Sequence, residues 1–140
     1  MFLKPEEMKV WLVGIDHIQI TSPPEVEDAM LFFYSKVLGL TELPKPETLR
    51  ANGGGWYALG DIQLHISTEK KANLEESKRH ICFRVHDLNA FESHLKAHGI
   101  DIIPDSQPLA GCRRFYVRDP GGNRIEIAEF TKDGKYPDGY

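Results

Sequence analysis

Three histidines and a glutamate occupy matching places in a chain that repeats itself after about sixty residues. Setting "GIDHIQI" beside "SKRHICF" brings His17 onto His80, and setting "GDIQLHI" beside "GGNRIEI" brings His65 onto Glu126. A lone histidine in an apolar strand is most often an ordinary core residue. Duplicated imidazole and carboxylate are a different matter, because clustered nitrogen and oxygen donors are what a divalent metal takes. We therefore read His17, His65, His80 and Glu126 as candidate metal ligands. Such donors suit Zn, Ni, Co, Mn or Fe(II) and do not choose among them.

The elements that must position these side chains follow from periodicity. Val10 to Ile20 alternates with period two, Val13, Ile15, His17 and Gln19 on one parity and Ile18 and Ile20 on the other, and reads as a strand. Ser22, Pro23 and Glu25 have the make-up of a capped helix start. Val26, Ala29, Met30, Phe33, Tyr34, Val37 and Leu38 then recur at helical spacing, up to a stop at Gly39. Leu40 to Leu43 reads as a short strand halted by Pro44 and Pro46, and "NGGG" as a turn. Trp56 to Leu59 and Ile62 to Ile66 form a hairpin closed at Gly60-Asp61.

After a polar connector over 67–79 the order returns. His80 to Val85 is a strand, Asp87 caps a helix carrying Leu88, Phe91 and Leu95, and Gly99 ends it. Ile100 to Ile103 is a short strand, and Arg114 to Arg118 and Arg124 to Ile127 flank the turn "DPGGN". The expectation is a single α+β domain of two βαβββ modules, over about residues 10–67 and 79–130. A four-stranded sheet with its helix on one face leaves the other face bare. Two such faces together make a cupped, barrel-like mixed sheet with the helices outside.

Strand parity then decides what enters the cup. His17 with Gln19, Gln63 with His65, His80 with Cys82, and Arg124 with Glu126 share faces. The complementary residues, Ile18 and Ile20, Leu64 and Ile66, Ile81 and Phe83, Ile125 and Ile127, are uniformly apolar and suit packing against helices. Polar groups on a covered sheet face need partners, and a metal ion suits histidine and carboxylate together. Gln19 and Gln63 are read as cup-lining groups. Trp56, after three glycines, is either an aromatic wall of the cup or a hairpin anchor. Arg113 and Arg114 are candidates for holding an anion, while His86, His94 and His98 read as surface residues.

Composition narrows the function classes. The chain has 140 residues with 41% hydrophobic and 27% charged, enough to bury a core. A net charge of −4 without a Lys/Arg cluster argues against nucleic acid and against an anionic membrane. No stretch has the length of a membrane span, and "MFLKPEEMK" carries acids and a proline where a signal peptide needs an apolar run. Cytoplasm is the expected location. Cys82 and Cys112 are too few and wrongly spaced for a disulfide framework or thiolate zinc site. Cys82, in an apolar run, reads as a small buried hydrophobe.

The βαβββ repeat, "GIDHIQI", "FFYSKVLGL", "RHICFRVHDL" and above all "FYVRDPGGNRIEI" resemble the vicinal-oxygen-chelate superfamily over roughly residues 14 to 130. That superfamily includes glyoxalase I, methylmalonyl-CoA epimerase, fosfomycin-inactivating thiol transferases, extradiol dioxygenases and bleomycin-binding proteins. The resemblance implies metal ligands on the first and last strands of each module, which here are His17, His65, His80 and Glu126. His17, His80 and Glu126 look like the two-histidine, one-glutamate set of the thiol-transferase and dioxygenase branches. Glyoxalase I has glutamate and the epimerase glutamine where this chain has His65, which leaves ligand, substrate-orienting and acid–base roles open for it. Tyr116 takes a position that touches substrate in the fosfomycin branch.

The resemblance further implies a glyoxalase-like lyase or isomerase that chelates a small oxygenated substrate, such as a thiol adduct, and stabilises an oxyanion or enediolate. Glu126, or a metal-bound hydroxide, is the implied base. The alternatives are a fosfomycin-type thiol transferase, an extradiol dioxygenase, and a metal-free bleomycin-type binding protein. The residues after Glu126 lack the arginine-bearing extension of the thiol-transferase branch. A homodimer is implied, with modules paired within one chain or between two.

Overall fold

The computed structural model describes residues 9–71 and 77–131. The first eight residues, the middle of the connector (72–76) and the tail from 132 lie outside the described residues. The first module contains β1 (His17–Ser22), α1 (Glu27–Phe32), β2 (Glu42–Leu43), β3 (Gly55–Leu59) and β4 (Ile62–Thr68). The second contains β5 (His80–Arg84), α2 (Leu88–Ala97), β6 (Ile103–Pro104), β7 (Cys112–Arg118) and β8 (Arg124–Phe130). Their strand orders match, β1-β4-β3-β2 in one sheet and β5-β8-β7-β6 in the other. In each, the first and last strands run parallel and the remaining neighbours antiparallel. The sheets are cupped and not closed into a barrel. No helix among the described residues is long and apolar enough to cross a membrane.

Alternation along the strands builds the core. Leu64, Ile66, Ile125 and Ile127 are buried on the helix side, with Ile18, Ile20, Ile81 and Phe83 packed against them. Met30, Phe33, Tyr34 and Val37 from the first helical segment and Leu88 and Leu95 from α2 complete one continuous cluster across both modules. Each fully buried aliphatic side chain stabilises by about 1.5–3 kcal/mol through removal from water, so cutting Leu64 back to alanine breaks the layer where it is deepest.

The first helix changes pitch along its length. A 3-10 turn over Pro24–Val26 leads into α1, and Phe33–Val37 widens into a π turn closed by Leu38 N–H donating to Phe33 O at 2.8 Å. Ser22 does not cap it. It remains in β1 opposite Thr68, fully buried, and its hydroxyl donates to Pro23 O at 3.2 Å. Pro24, not Pro23, takes the first helical position, and no side chain caps the start, so Glu25 completes no capping box. The Asp87 cap forms as expected, its Oδ1 accepting Ala90 N–H at 3.0 Å.

Other boundaries shift for identifiable reasons. β1 begins at His17 and not at Val10. Asp16 O still accepts Gln63 N–H at 3.1 Å, but β4 starts at Ile62, so among the described residues no strand pairs with those before Asp16. Val10, Trp11, Leu12, Val13 and Ile15 are consequently exposed. The strands expected from Leu40 and Ile100 start later, at Glu42 and Ile103. Leu40 and Ile100 are held in the helix ends, donating to Tyr34 O and Leu95 O at 3.0 Å, with Gly39 and Gly99 at positive φ before them.

The turn "DPGGN" ties the modules together. The Asp119 carboxylate accepts the backbone N–H of Gly121 (3.0 Å) and Asn123 (2.9 Å), the Asn123 amide (2.8 Å) and the Tyr34 hydroxyl (2.8 Å). Asn123 also donates to Thr21 O at 2.9 Å. A side chain at Gly121 would meet Ser22 Cβ at 2.6 Å, so glycine lets the turn lie flat against the first module. A second tie runs from the His94 ring, Nε2 donating to Val37 O at 2.7 Å.

Candidate metal half-sites

The eight residues singled out for chemistry fall into two groups, one on each sheet face that the chain's own helices leave uncovered. On the first sheet, β1 and β4 run parallel with His17 opposite Gln63 and Gln19 opposite His65, while β3 sets Trp56 opposite His65. The His65 ring is sandwiched, 4.3 Å from the His17 ring and 4.0 Å from the Trp56 ring with planes 1° apart. Gln63 Oε1 accepts from His65 Nε2 at 2.9 Å, and Gln19 donates to the Ser67 hydroxyl at 2.7 Å. Burial, with His17 beside it, holds the His65 pKa below histidine's usual value.

On the second sheet, β5 and β8 run parallel and β7 sets Tyr116 opposite Glu126. His80 Nε2 lies 3.0 Å from Glu126 Oε1, and the His80 ring meets Tyr116 edge-on at 6.1 Å. Arg124 does not pair with Glu126; its guanidinium covers the Tyr116 ring at 4.4 Å. Glu126 instead has Arg114, whose Nη1 stands 3.5 Å from Oε2.

Two expectations about neighbouring residues are corrected here. Cys82 is exposed and not buried, because its parity is that of His80 and places it on the open face opposite Glu126. Partial desolvation of its sulfur, reinforced by the neighbouring Glu126 carboxylate, pushes the thiol up to about 12. Arg113 and Arg114 alternate across β7 and part company. Arg113 turns to the other face, donating to Asn89 Oδ1 at 2.5 Å with Glu129 at 3.7 Å. Arg114 is engaged by Asp105 and Glu126, so neither arginine is poised for a substrate anion. The Arg114–Asp105 pair escaped sequence reasoning because its acidic partner sits in an irregular loop with no periodicity to place it.

The three imidazoles share one arrangement. His17 Nδ1 donates to Asp16 Oδ2 at 2.8 Å, His80 Nδ1 to Lys78 O at 2.8 Å, and His65 Nε2 to Gln63 Oε1. Each acceptor is an oxygen, so a neutral ring there keeps its proton on the bonded nitrogen and a lone pair on the other. The free lone pairs belong to His17 Nε2, His65 Nδ1 and His80 Nε2. At His80 that lone pair faces a carboxylate oxygen at 3.0 Å, a contact that needs a proton or a cation between the two atoms. The separation also suits two adjacent ligand atoms around an ion held at about 2.1 Å. By donor chemistry and tautomer the residues fit a divalent ion. Among the described residues, however, no three His, Cys, Asp or Glu side chains of one chain stand close enough to hold one. Each sheet carries a pair.

This duplicated cup with paired donors defines a class. The chain belongs to the Glyoxalase/Bleomycin resistance protein/Dioxygenase superfamily, whose family profile matches residues 14–127. Among solved structures it is similar to a protein assigned to the glyoxalase family from Bacillus anthracis. That likeness has 38% identity and a TM-score of 0.78, over 89% of this chain and all of the other. It is 26% identical over 125 residues to Glyoxylase I 4 of Arabidopsis thaliana, covering 83% of this chain and 70% of that protein. It is also 29% identical over 123 residues to metapyrocatechase of Geobacillus stearothermophilus, spanning 81% of this chain but only 36% of that enzyme.

Proposed function

We propose that this protein is a divalent-metal enzyme of glyoxalase type, a lyase or isomerase acting on a small molecule with adjacent oxygens, such as a thiol adduct of a dicarbonyl. The observation that carries the reading is the His80–Glu126 contact. An acceptor nitrogen and a carboxylate oxygen are held 3.0 Å apart while their other atoms are anchored by Lys78 O and Arg114. His17 and His65 offer the matching pair on the duplicated sheet. The two pairs come together between two copies of the chain, which form a homodimer with a site at each meeting of unlike modules. The partly exposed His17 and His80 rings support this, since each open face retains room for another.

In that site His17, His65, His80 and Glu126 would hold a divalent ion, which would supply fixed positive charge to offset a developing oxyanion. Glu126 takes a proton from the carbon beside the carbonyl and returns it to the neighbouring carbon, a carboxylate's ordinary work once water is excluded. Trp56 and Tyr116 supply the aromatic walls, and Gln19 and Gln63 present amides that orient the substrate oxygens. The two-histidine, one-glutamate subset also suits Fe(II) and oxygen chemistry, the extradiol dioxygenase reading that similarity to metapyrocatechase favours.

The test is turnover of the metal-loaded protein with a methylglyoxal–thiol adduct, a catechol and fosfomycin in parallel. Isomerisation of the adduct, lost in Glu126→Gln, supports the proposal. Catechol cleavage transfers the site to the dioxygenase reading, and thiol addition to fosfomycin transfers it to the thiol-transferase reading.

A further inference from the structure

Arg114 is anchored on the second open face by three partners, and catalysis as proposed gives it no part. Its Nε donates to Asp105 Oδ2 at 2.9 Å, its Nη2 to Gln107 O at 2.9 Å, and its Nη1 lies 3.5 Å from Glu126 Oε2. Asp105 is itself fixed, because its Oδ1 accepts the Gln107 N–H at 3.0 Å. The loop 105–107 and Glu126 of β8 thus flank the guanidinium on two sides, and all three charged side chains are largely buried. β7 and β8 explain the placement. Tyr116 stands opposite Glu126, and Arg114, two residues earlier on the same face, is its diagonal neighbour.

Glu126 is therefore contacted differently at its two oxygens. Oε1 faces His80 Nε2 at 3.0 Å, and Oε2 faces the anchored guanidinium. We infer that Arg114, positioned by Asp105, is a positioning residue for the metal centre: it holds Glu126 Oε2 aside, so that Glu126 would ligate through Oε1 alone and keep on Oε2 a lone pair, beyond the one facing the guanidinium, for the substrate proton. A carboxylate that ligates through one oxygen leaves a coordination position that a two-oxygen grip would fill, and a substrate with adjacent oxygens needs that position. The 3.5 Å approach is long for a hydrogen bond, so the hold on Oε2 is mainly ionic. Lysine at 114 should then keep part of the effect, and a neutral side chain should not. This inference rests on the proposed metal site.

Cobalt(II) titration of the full-length protein, followed by visible absorption, separates the possibilities. Wild type should bind cobalt. Arg114→Met should bind it about 10- to 100-fold more weakly, the usual range when a group behind a ligand is lost, and its absorption bands should shift as Glu126 turns to offer both oxygens. Asp105→Asn, which leaves Arg114 in place but loosens it, should show a smaller change of the same kind. Arg114→Lys should recover part of the affinity. Arg113→Met, one residue along the strand on the opposite face, should match wild type. Wild-type affinity and an unshifted spectrum in both Arg114→Met and Asp105→Asn would overturn the role of Arg114 while leaving the metal site intact. Absence of cobalt binding in wild type would overturn the metal site itself, and with it this inference.

Discussion

Cys82 offers a measurement of the charge on the second half-site without any ligand added. It is exposed as a residue, yet partial desolvation of its sulfur and the Glu126 carboxylate push its thiol up to about 12. At pH 8 such a thiol is about one part in ten thousand thiolate, against roughly a tenth for a thiol of ordinary pKa near 9, about a thousandfold less. The more basic thiolate is intrinsically more nucleophilic, and a Brønsted slope of about 0.45 returns roughly twentyfold. Disulfide exchange of Cys82 with a chromogenic aryl disulfide should therefore run roughly ten- to a hundredfold slower than that of a free cysteine peptide. The assay uses metal-free protein with Cys112→Ser to remove the second thiol. Glu126→Gln in that background should speed the reaction severalfold, because the carboxylate's charge and hydrogen bond go while burial of the sulfur remains. A wild-type rate equal to the peptide's, or no change in Glu126→Gln, would refute the placement of the Glu126 side chain against Cys82.

Three further outcomes follow from the same geometry. Tyr34→Phe removes a donor to the buried Asp119 carboxylate and should cost about 1.5–3 kcal/mol in urea denaturation; unchanged stability would mean the turn does not depend on it. Gly121→Ala forces a methyl toward Ser22 Cβ at 2.6 Å and should destabilise by about 1–3 kcal/mol in the same assay, with a wild-type midpoint as the contrary result. Mixing inactive His17→Ala with inactive Glu126→Gln and allowing subunits to exchange should restore up to about a quarter of wild-type activity, since a mixed dimer rebuilds one intact site. No recovery would place each site within a single chain.

Much of the scaffold was legible because each strand carries its instructions in two-residue alternation. Ile18 and Ile20, or Ile125 and Ile127, could only face the helices, and that left His17 and Glu126 on the open side. The duplication of His17 in His80 and of His65 in Glu126 marked the donors without help from contacts. Local signals misled where a distant partner decides. The alternation of Val10 to Ile15 is genuine strand chemistry, but among the described residues no neighbouring strand reaches that far. Ser22 has the composition of a cap, yet pairing with Thr68 keeps it in β1. Cys82 read as core from its apolar neighbours although its parity with His80 already placed it on the open face. The Arg114–Asp105 grip depends on a loop folding back over nine residues, which no repeat or period encodes.

Metal uptake tests the central claim most directly. Calorimetric titration of the purified, chelator-treated chain with zinc or cobalt(II) should show one ion bound per chain. That binding should be lost in His80→Ala and equally in His17→Ala, whose residues lie on different sheets. Absence of uptake by wild type, or binding in His17→Ala as tight as in wild type, would contradict a site built from both halves.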